Sequence, residues 1–400
     1  MKGKDLFAQV DQEDAISFLQ SLIQINSVNP PGAERAVAEA IQKRLMNSGL
    51  YVELDFVAED RSNLLVSLKW DEAENTFRDQ GKNLVFSGHF DTVPIGGMDW
   101  TYSPFAGERV GERIYGRGAT DMKSGVAAMI IAMECLAKSG ISLPGNLLFV
   151  GTVGEEVDCL GAKQVVKKGQ LDHASAIVVS EPTSNQVIVA HKGALWLEVT
   201  MFGKTAHGSM PHHGINAISA IHRFMTELSH YHLEHVPHAI LGSSTMNIGM
   251  IRGGVSPNVV ADQCSITLDI RTVPGQNHAK ILEEIQQLAK KASESLSASF
   301  QVKVLNDMAC VDTPADNPFI RTAMKVAGMK QDESPKGVNY YTDASVYQPS
   351  LDGIPVLIYG PGEPAMAHQP DEWVDVAKYL KSIEYYIDLA LVYLRETETA

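Results

Sequence analysis

Two histidines and five carboxylates stand at the ends of short apolar runs, and together they have the chemistry of a divalent metal site. His89 and Asp91 follow the run 83–87. Glu155 and Glu156 follow 146–153, and Glu181 follows 176–179. His368 lies in a loop after the run 355–359, and Asp121 ends Gly116-Arg117-Gly118-Ala119-Thr120-Asp121 just before an apolar helical stretch. Imidazole and carboxylate ligands with no thiolate suit Zn²⁺, Mn²⁺ or Co²⁺. One carboxylate can bridge two ions, leaving each ion one further carboxylate and one histidine. Two ions about 3.5–4 Å apart can share a hydroxide and polarise a carbonyl oxygen. Taken singly, each residue has a plainer reading: a strand-end His or Asp serves turns, and Asp121 is equally placed to cap its helix.

The elements that must position these residues alternate. Helical periodicity is expected over 14–25, 34–48, 124–137 and 376–395, with buried-strand runs at 83–87, 146–153, 176–179 and 355–359. Alternating strands and helices imply an α/β domain with a mostly parallel sheet covered by helices. In an open sheet of that kind ligands bind outside the carboxyl ends of the strands. Residues scattered from 89 to 368 therefore converge on one sheet edge. The segment 192–306 has another rhythm: strand 194–202, helix 215–230, strands 244–251 and 262–272, helix 276–297 and strand 299–305. That is the β-α-β-β-α-β order of a ferredoxin-like unit. The expected organisation is a catalytic domain of 1–191 and 307–400 with an inserted domain, 192–306. Seven histidines between His212 and His238 are irregularly spaced and read as a solvated surface.

His89-Phe90-Asp91-Thr92-Val93-Pro94, Gly116 to Lys123, Gly154-Glu155-Glu156, Ser180-Glu181-Pro182, Gly360-Pro361-Gly362 and Ala367-His368-Gln369-Pro370-Asp371-Glu372 resemble the motifs of the binuclear zinc deacylases and exopeptidases. That family includes acetylornithine deacetylase, succinyl-diaminopimelate desuccinylase, aminoacylase and glutamate carboxypeptidase. The resemblance implies that Asp121 bridges two metals, that His89 and Glu181 hold one, and that Glu156 and His368 hold the other. It implies Glu155 as the general base, since a carboxylate held on a metal is a poor proton acceptor. Asp91 resembles the carboxylate that fixes the His89 ring. In the inserted domain His207 and Asn258 fall on loops at one end of the sheet, where they can meet a developing oxyanion. Arg271 and Lys192 resemble positions that bind the substrate carboxylate, although the strand count puts Arg271 at the opposite end, where a surface arginine explains it equally. The resemblance further implies a lid that dimerises, with a histidine of one subunit reaching the site of the other.

The expected activity is removal of an acyl group from an N-acyl amino acid. A dipeptidase or carboxypeptidase has the same metals and base and differs in its pocket. A metal-binding protein without turnover would have no use for Glu155 as a non-ligating base, and a two-metal phosphoesterase is open on metal chemistry alone. The balance of 33 basic against 48 acidic residues, −15 in all, disfavours nucleic acid and anionic membranes as partners. The polar N-terminus and four scattered cysteines point to the cytoplasm.

Overall fold

In the computed structural model residues 3–71, 76–77 and 81–395 are described, so the outermost residues of the expected catalytic domain lie outside them. The chain divides into two compact units. One comprises residues up to Val189, Asp312–Gly337 and the chain from Thr342 onward; the other is Ala190–Val311 with Val338–Tyr341. Among the described residues no helix is long and apolar enough to cross a membrane.

The first unit is built on a twisted sheet running in the order Tyr51–Ala58, Arg61–Ser67, Asn146–Thr152, Asn83–His89, Ala176–Val179, Val356–Ile358 and Ile188–His191. Its four central strands are parallel. They are buried along their whole length, which is why they read as continuous apolar runs. Antiparallel strands flank them on both sides. The helix Ser124–Lys138 is buried nearly all round and packs against Val376–Tyr393. The pair Tyr51–Ala58 and Arg61–Ser67 has no counterpart in the apolar pattern, because Asp55, Ser62 and Asn63 interrupt it. These polar groups are buried but satisfied: Gln164 donates to Asp55 at 3.0 Å and Asn63 donates to the Gly161 carbonyl at 3.2 Å.

The second unit has strands Gly193–Phe202, Thr245–Gly253, Gln263–Thr272 and Ser299–Met308, with helices Ala217–Leu228 and His278–Glu294 between them. Gly193–Phe202 lies between Gln263–Thr272 and Ser299–Met308, and Thr245–Gly253 pairs with the outer side of Gln263–Thr272, all antiparallel. This is the ferredoxin-like arrangement. Leu195, Leu197, Val199, Ile266 and Leu268 pack against Phe224, Ile221 and Ile285 to form its core. Thr245–Gly253 stands at one edge and is exposed almost throughout.

Candidate metal centre

His89 ends its strand, 1% exposed. Its Nδ1–H donates to the backbone carbonyl of Asp91 at 2.9 Å, so Nε2 is the nitrogen turned to the carboxylates. Nε2 faces Asp121 Oδ1 at 3.2 Å, Glu181 Oε1 at 3.7 Å and Glu155 Oε2 at 4.0 Å. On the other side of Asp121, Oδ2 lies 3.3 Å from His368 Nε2, and Glu156 Oε2 lies 3.1 Å from that same nitrogen. One carboxylate thus turns one oxygen to each imidazole. The ligand atoms form two groups, His89 with Asp121 and Glu156, and His89 with Glu155 and Glu181.

These residues fit a pair of cations. Bonds of about 2.0–2.2 Å to a tetrahedral ion put its ligand atoms about 3.3–3.6 Å apart, close to the spacings seen here. Glu156 Oε1 and Glu181 Oε1 are buried and have no hydrogen-bond partner among the described residues. Burying charged groups costs several kcal/mol each unless they are compensated, and Asp121, Glu155 and Glu181 are all under one-tenth exposed. Burial, then the charge of Glu181, pushes Glu155 well above the ordinary carboxylate range. Burial and Asp121 push Glu156 and Glu181 up as well. Burial opposes ionisation of Asp121, but hydrogen bonds from His368 and His89 hold it well below its usual value. Hydrogen bonds to Asp121 and Glu156 push His368 up to about 10. A cation entering here must displace that proton.

The loops that carry these groups are held by two further carboxylates. Asp91 accepts from the backbone N–H of Gly154, Glu155 and Glu156 at 3.0, 3.2 and 3.2 Å and from Asn29 Nδ2 at 2.9 Å. Its carboxylate is 3.5 Å from His89 Nδ1, so its nearer contacts are to the glutamate loop, while its carbonyl fixes the ring. Glu372, fully buried beside Arg117, accepts from the N–H groups of Gly118, Thr120 and Asp121 at 3.1, 2.8 and 3.0 Å. A Cβ on Gly360 would meet the Ser180 carbonyl at 2.3 Å, and one on Gly362 the Thr120 carbonyl at 2.3 Å. Those glycines let one loop lie directly on the loops bearing Asp121 and Glu181.

Two further buried carboxylates are only partly legible in the sequence. Glu372 stands in a quoted motif but carries no expected role there. Thr342-Asp343-Ala344 resembles a substrate-pocket element of the family and reads equally as an ordinary turn, yet Asp343 is 1% exposed, takes a 2.5 Å hydrogen bond from Thr152 Oγ1, and has Oδ1 without a partner among the described residues. Burial pushes Asp343 up to about 6. The signal available for it was its place just before the short helix Ala344–Ser350.

In the second unit, His207 pairs with Val259 and Gly208 N–H donates to the Asn258 carbonyl at 2.7 Å, so His207 and Asn258 are neighbours. The N–H of Ser209 donates to His207 Nδ1 at 3.2 Å, which puts the proton of the neutral ring on Nε2. Ser256 donates to Asn258 Oδ1 at 2.6 Å, leaving the amide NH₂ to donate. Arg271 lies at the other end of the sheet, its Nε 2.9 Å from Asp269 Oδ1. Lys192 Nζ donates to the Ser243 carbonyl at 2.7 Å.

Residues 85–392 match the peptidase family M20/M25/M40. The chain is 29% identical to a Staphylococcus epidermidis protein named "Probable succinyl-diaminopimelate desuccinylase", over 97% of this chain and 99% of that one. It is 32% identical to the acetylornithine deacetylase of Yersinia pseudotuberculosis, covering 82% and 83% of the two chains. Its fold is similar to that of a dinuclear metal-binding peptidase of Bacillus subtilis, with a TM-score of 0.71, 18% identity and coverage of 96% and 98%. The chain belongs to the peptidase family M20/M25/M40. It is a metal-dependent hydrolase acting on amide bonds.

Proposed function

We propose that this chain is a deacylase that removes an acetyl- or succinyl-type group from an N-acyl amino acid. The observation that carries the reading is Asp121, with one oxygen turned to His89 and the other to His368. The proposed ligands are Asp121 between two ions, His89 and Glu181 on one, and Glu156 and His368 on the other. Zinc suits this donor set best, with cobalt or manganese as substitutes. The ions would supply Lewis-acid polarisation of the amide carbonyl and acidify water.

Glu155 takes a proton from the attacking water and returns it to the amine as the C–N bond breaks. It is buried beside Glu181 and His89, next to the place the ions would occupy. His207 Nε2–H and the Asn258 amide are the donors for the oxyanion. Arg271 and Lys192 bind the substrate carboxylate; an arginine held by one carboxylate keeps further N–H groups for a second. Phe202 pairs with Gln263 and Ala194 with Arg271, so eight residue steps, about 27 Å, separate the two ends of this sheet. A single lid therefore does not bring His207 and Arg271 to one small substrate. Two lids can, and a homodimer is the proposed assembly. The exposed edge strand Thr245–Gly253, with Ile248, Met250 and Ile251 39–58% exposed, is the surface such a pairing would cover. The proposed compartment is the cytoplasm.

The test is a release assay with metal-loaded protein across N-acetyl amino acids, N-succinyl amino acids, dipeptides and phosphoesters. Preferential turnover of the first two classes is expected. Faster cleavage of dipeptides would make the chain a peptidase, and turnover confined to phosphoesters would remove the proposal.

A further inference from the structure

Four side chains in the second unit, remote in sequence from every metal ligand, form one hydrogen-bonded line. Asp307 Oδ1 lies 2.6 Å from His278 Nδ1, His278 Nε2 lies 2.7 Å from Thr272 Oγ1, and Thr272 Oγ1 lies 3.3 Å from Cys310 Sγ. The direction of the line follows from the groups at its ends. An ionised Asp307 only accepts, so Nδ1 carries a proton and the neutral ring presents Nε2 as an acceptor. The Thr272 hydroxyl then donates to Nε2, and its oxygen accepts from the Cys310 thiol. Moving both protons one step along gives a thiolate accepting from Thr272 and an imidazolium between Thr272 and Asp307. Every group is satisfied in both states, so this thiol has a base within reach through one hydroxyl.

The site is built for that geometry. Thr272 is fully buried, which fixes its hydroxyl between the ring and the sulfur. Gly193 is opposite Thr272 in the strand register, and a Cβ there would stand 2.5 Å from Thr272 Oγ1 and 3.0 Å from the Cys310 nitrogen. The bare backbone of Gly193 is what leaves room for the relay. Cys310 itself is partly exposed. It lies between the last strand of this unit and Val311, on the return path of the chain. The other three cysteines differ from it in that no histidine relay adjoins them among the described residues: Cys135 Sγ donates to the Leu6 carbonyl and Cys159 Sγ to the Glu155 carbonyl, and Cys264 is buried.

We propose that Cys310 is a reactive thiol, activated through Thr272 by the His278–Asp307 pair, and that it is a site of mixed-disulfide formation with small disulfides. The Cys310 sulfur attacks one sulfur of the small disulfide, a protein–ligand S–S bond forms, and the ligand S–S bond breaks. The thiol proton passes through the Thr272 hydroxyl to His278 Nε2, and the second ligand sulfur leaves as a thiolate that takes a proton from solvent. One disulfide is exchanged for another and no further oxidant is required.

The experiment treats the full-length holoenzyme with oxidised glutathione and follows each cysteine by peptide mass mapping. Cys310 should acquire glutathione at least about tenfold faster than any other cysteine, because thiolate fraction and access set the rate. Thr272→Val and His278→Gln should each slow Cys310 by about threefold or more; the gain is moderate because nucleophilicity falls as a thiol's pKa falls. Thr272→Ser, which restores a hydroxyl, should recover the rate. Asp307 is 57% exposed, so Asp307→Asn offers a variant that spares the fold, and it should slow Cys310 too. Labelling of Cys135 ahead of Cys310 would overturn the proposal. So would an unchanged Cys310 rate in folded Thr272→Val and Asp307→Asn proteins.

Discussion

Glu155 and Glu156 are adjacent in sequence, yet they face different partners. Asp91 accepts three consecutive N–H groups of their loop and so fixes the backbone from which both side chains diverge. Glu156 then reaches His368, and Glu155 lies beside Glu181 and His89. Glu155→Gln keeps size and polarity but cannot accept a proton. Turnover should fall at least about 10²-fold with metal content unchanged. Glu156→Gln should instead lower metal content, measured by elemental analysis after dialysis. Metal loss in the Glu155 variant alone would reverse the two assignments. At this scale the sequence was informative about which side chains gather, because histidine and carboxylates at strand ends have few other uses together. Asp343 and Glu372 were harder to read. Their work is done by burial and by contacts with groups more than 190 residues away in the chain, the Thr152 hydroxyl for Asp343 and the Gly118 backbone for Glu372, and neither leaves a local pattern.

The elements were legible where burial is one-sided or complete. Ala176–Val179 is wholly apolar and Ser124–Lys138 strongly so, and the histidines of 212–238 fall on the helix Ala217–Leu228 and its flanks. Among the described residues, no group of possible ligand atoms gathers in that histidine-rich segment. The pair Tyr51–Ala58 and Arg61–Ser67 was illegible because its polar residues find partners only in the folded sheet. His191, at the end of the strand Ile188–His191, carries a prediction of its own. It is fully buried, Nδ1 lies 2.9 Å from the Lys192 carbonyl, and burial pushes its pKa down to about 4 from 6.5. The unfolded chain takes up a proton as pH falls through 6.5, whereas the folded chain does so only near 4. Stability present above pH 6.5 is therefore lost as pH falls towards 4, by about 3 kcal/mol in all and about 2 kcal/mol by pH 5. Denaturant unfolding of wild type and His191→Gln at about pH 7.5 and about pH 5 should show a smaller loss in the variant, by roughly that amount. Equal losses would mean that His191 is not buried as a neutral ring.

For the whole molecule, the proposed partition of the catalytic groups between two chains has a direct consequence. His207→Ala should lower kcat by about 10²–10³-fold if its ring is the principal oxyanion donor, with little effect on metal content. Mixing inactive His207→Ala protein with inactive Glu155→Gln protein should restore activity, because a mixed dimer has one site with both groups intact. Mixed dimers that form and stay inactive would show that His207 does not act across an interface. Sequence periodicity gave the separate ferredoxin-like unit, since its six elements keep their own rhythm. Pairing between copies leaves no such pattern beyond an apolar edge strand. The central claim is that two cations held about Asp121 carry out the hydrolysis, and the most direct measurement of it is a metal titration. Protein stripped by a chelator should not cleave N-acyl amino acids, and activity should return as Zn²⁺, Co²⁺ or Mn²⁺ is restored to about two ions per chain. Asp121→Ala should retain neither ion tightly. Full turnover by thoroughly metal-free protein, or two tightly held ions in Asp121→Ala, would contradict the account.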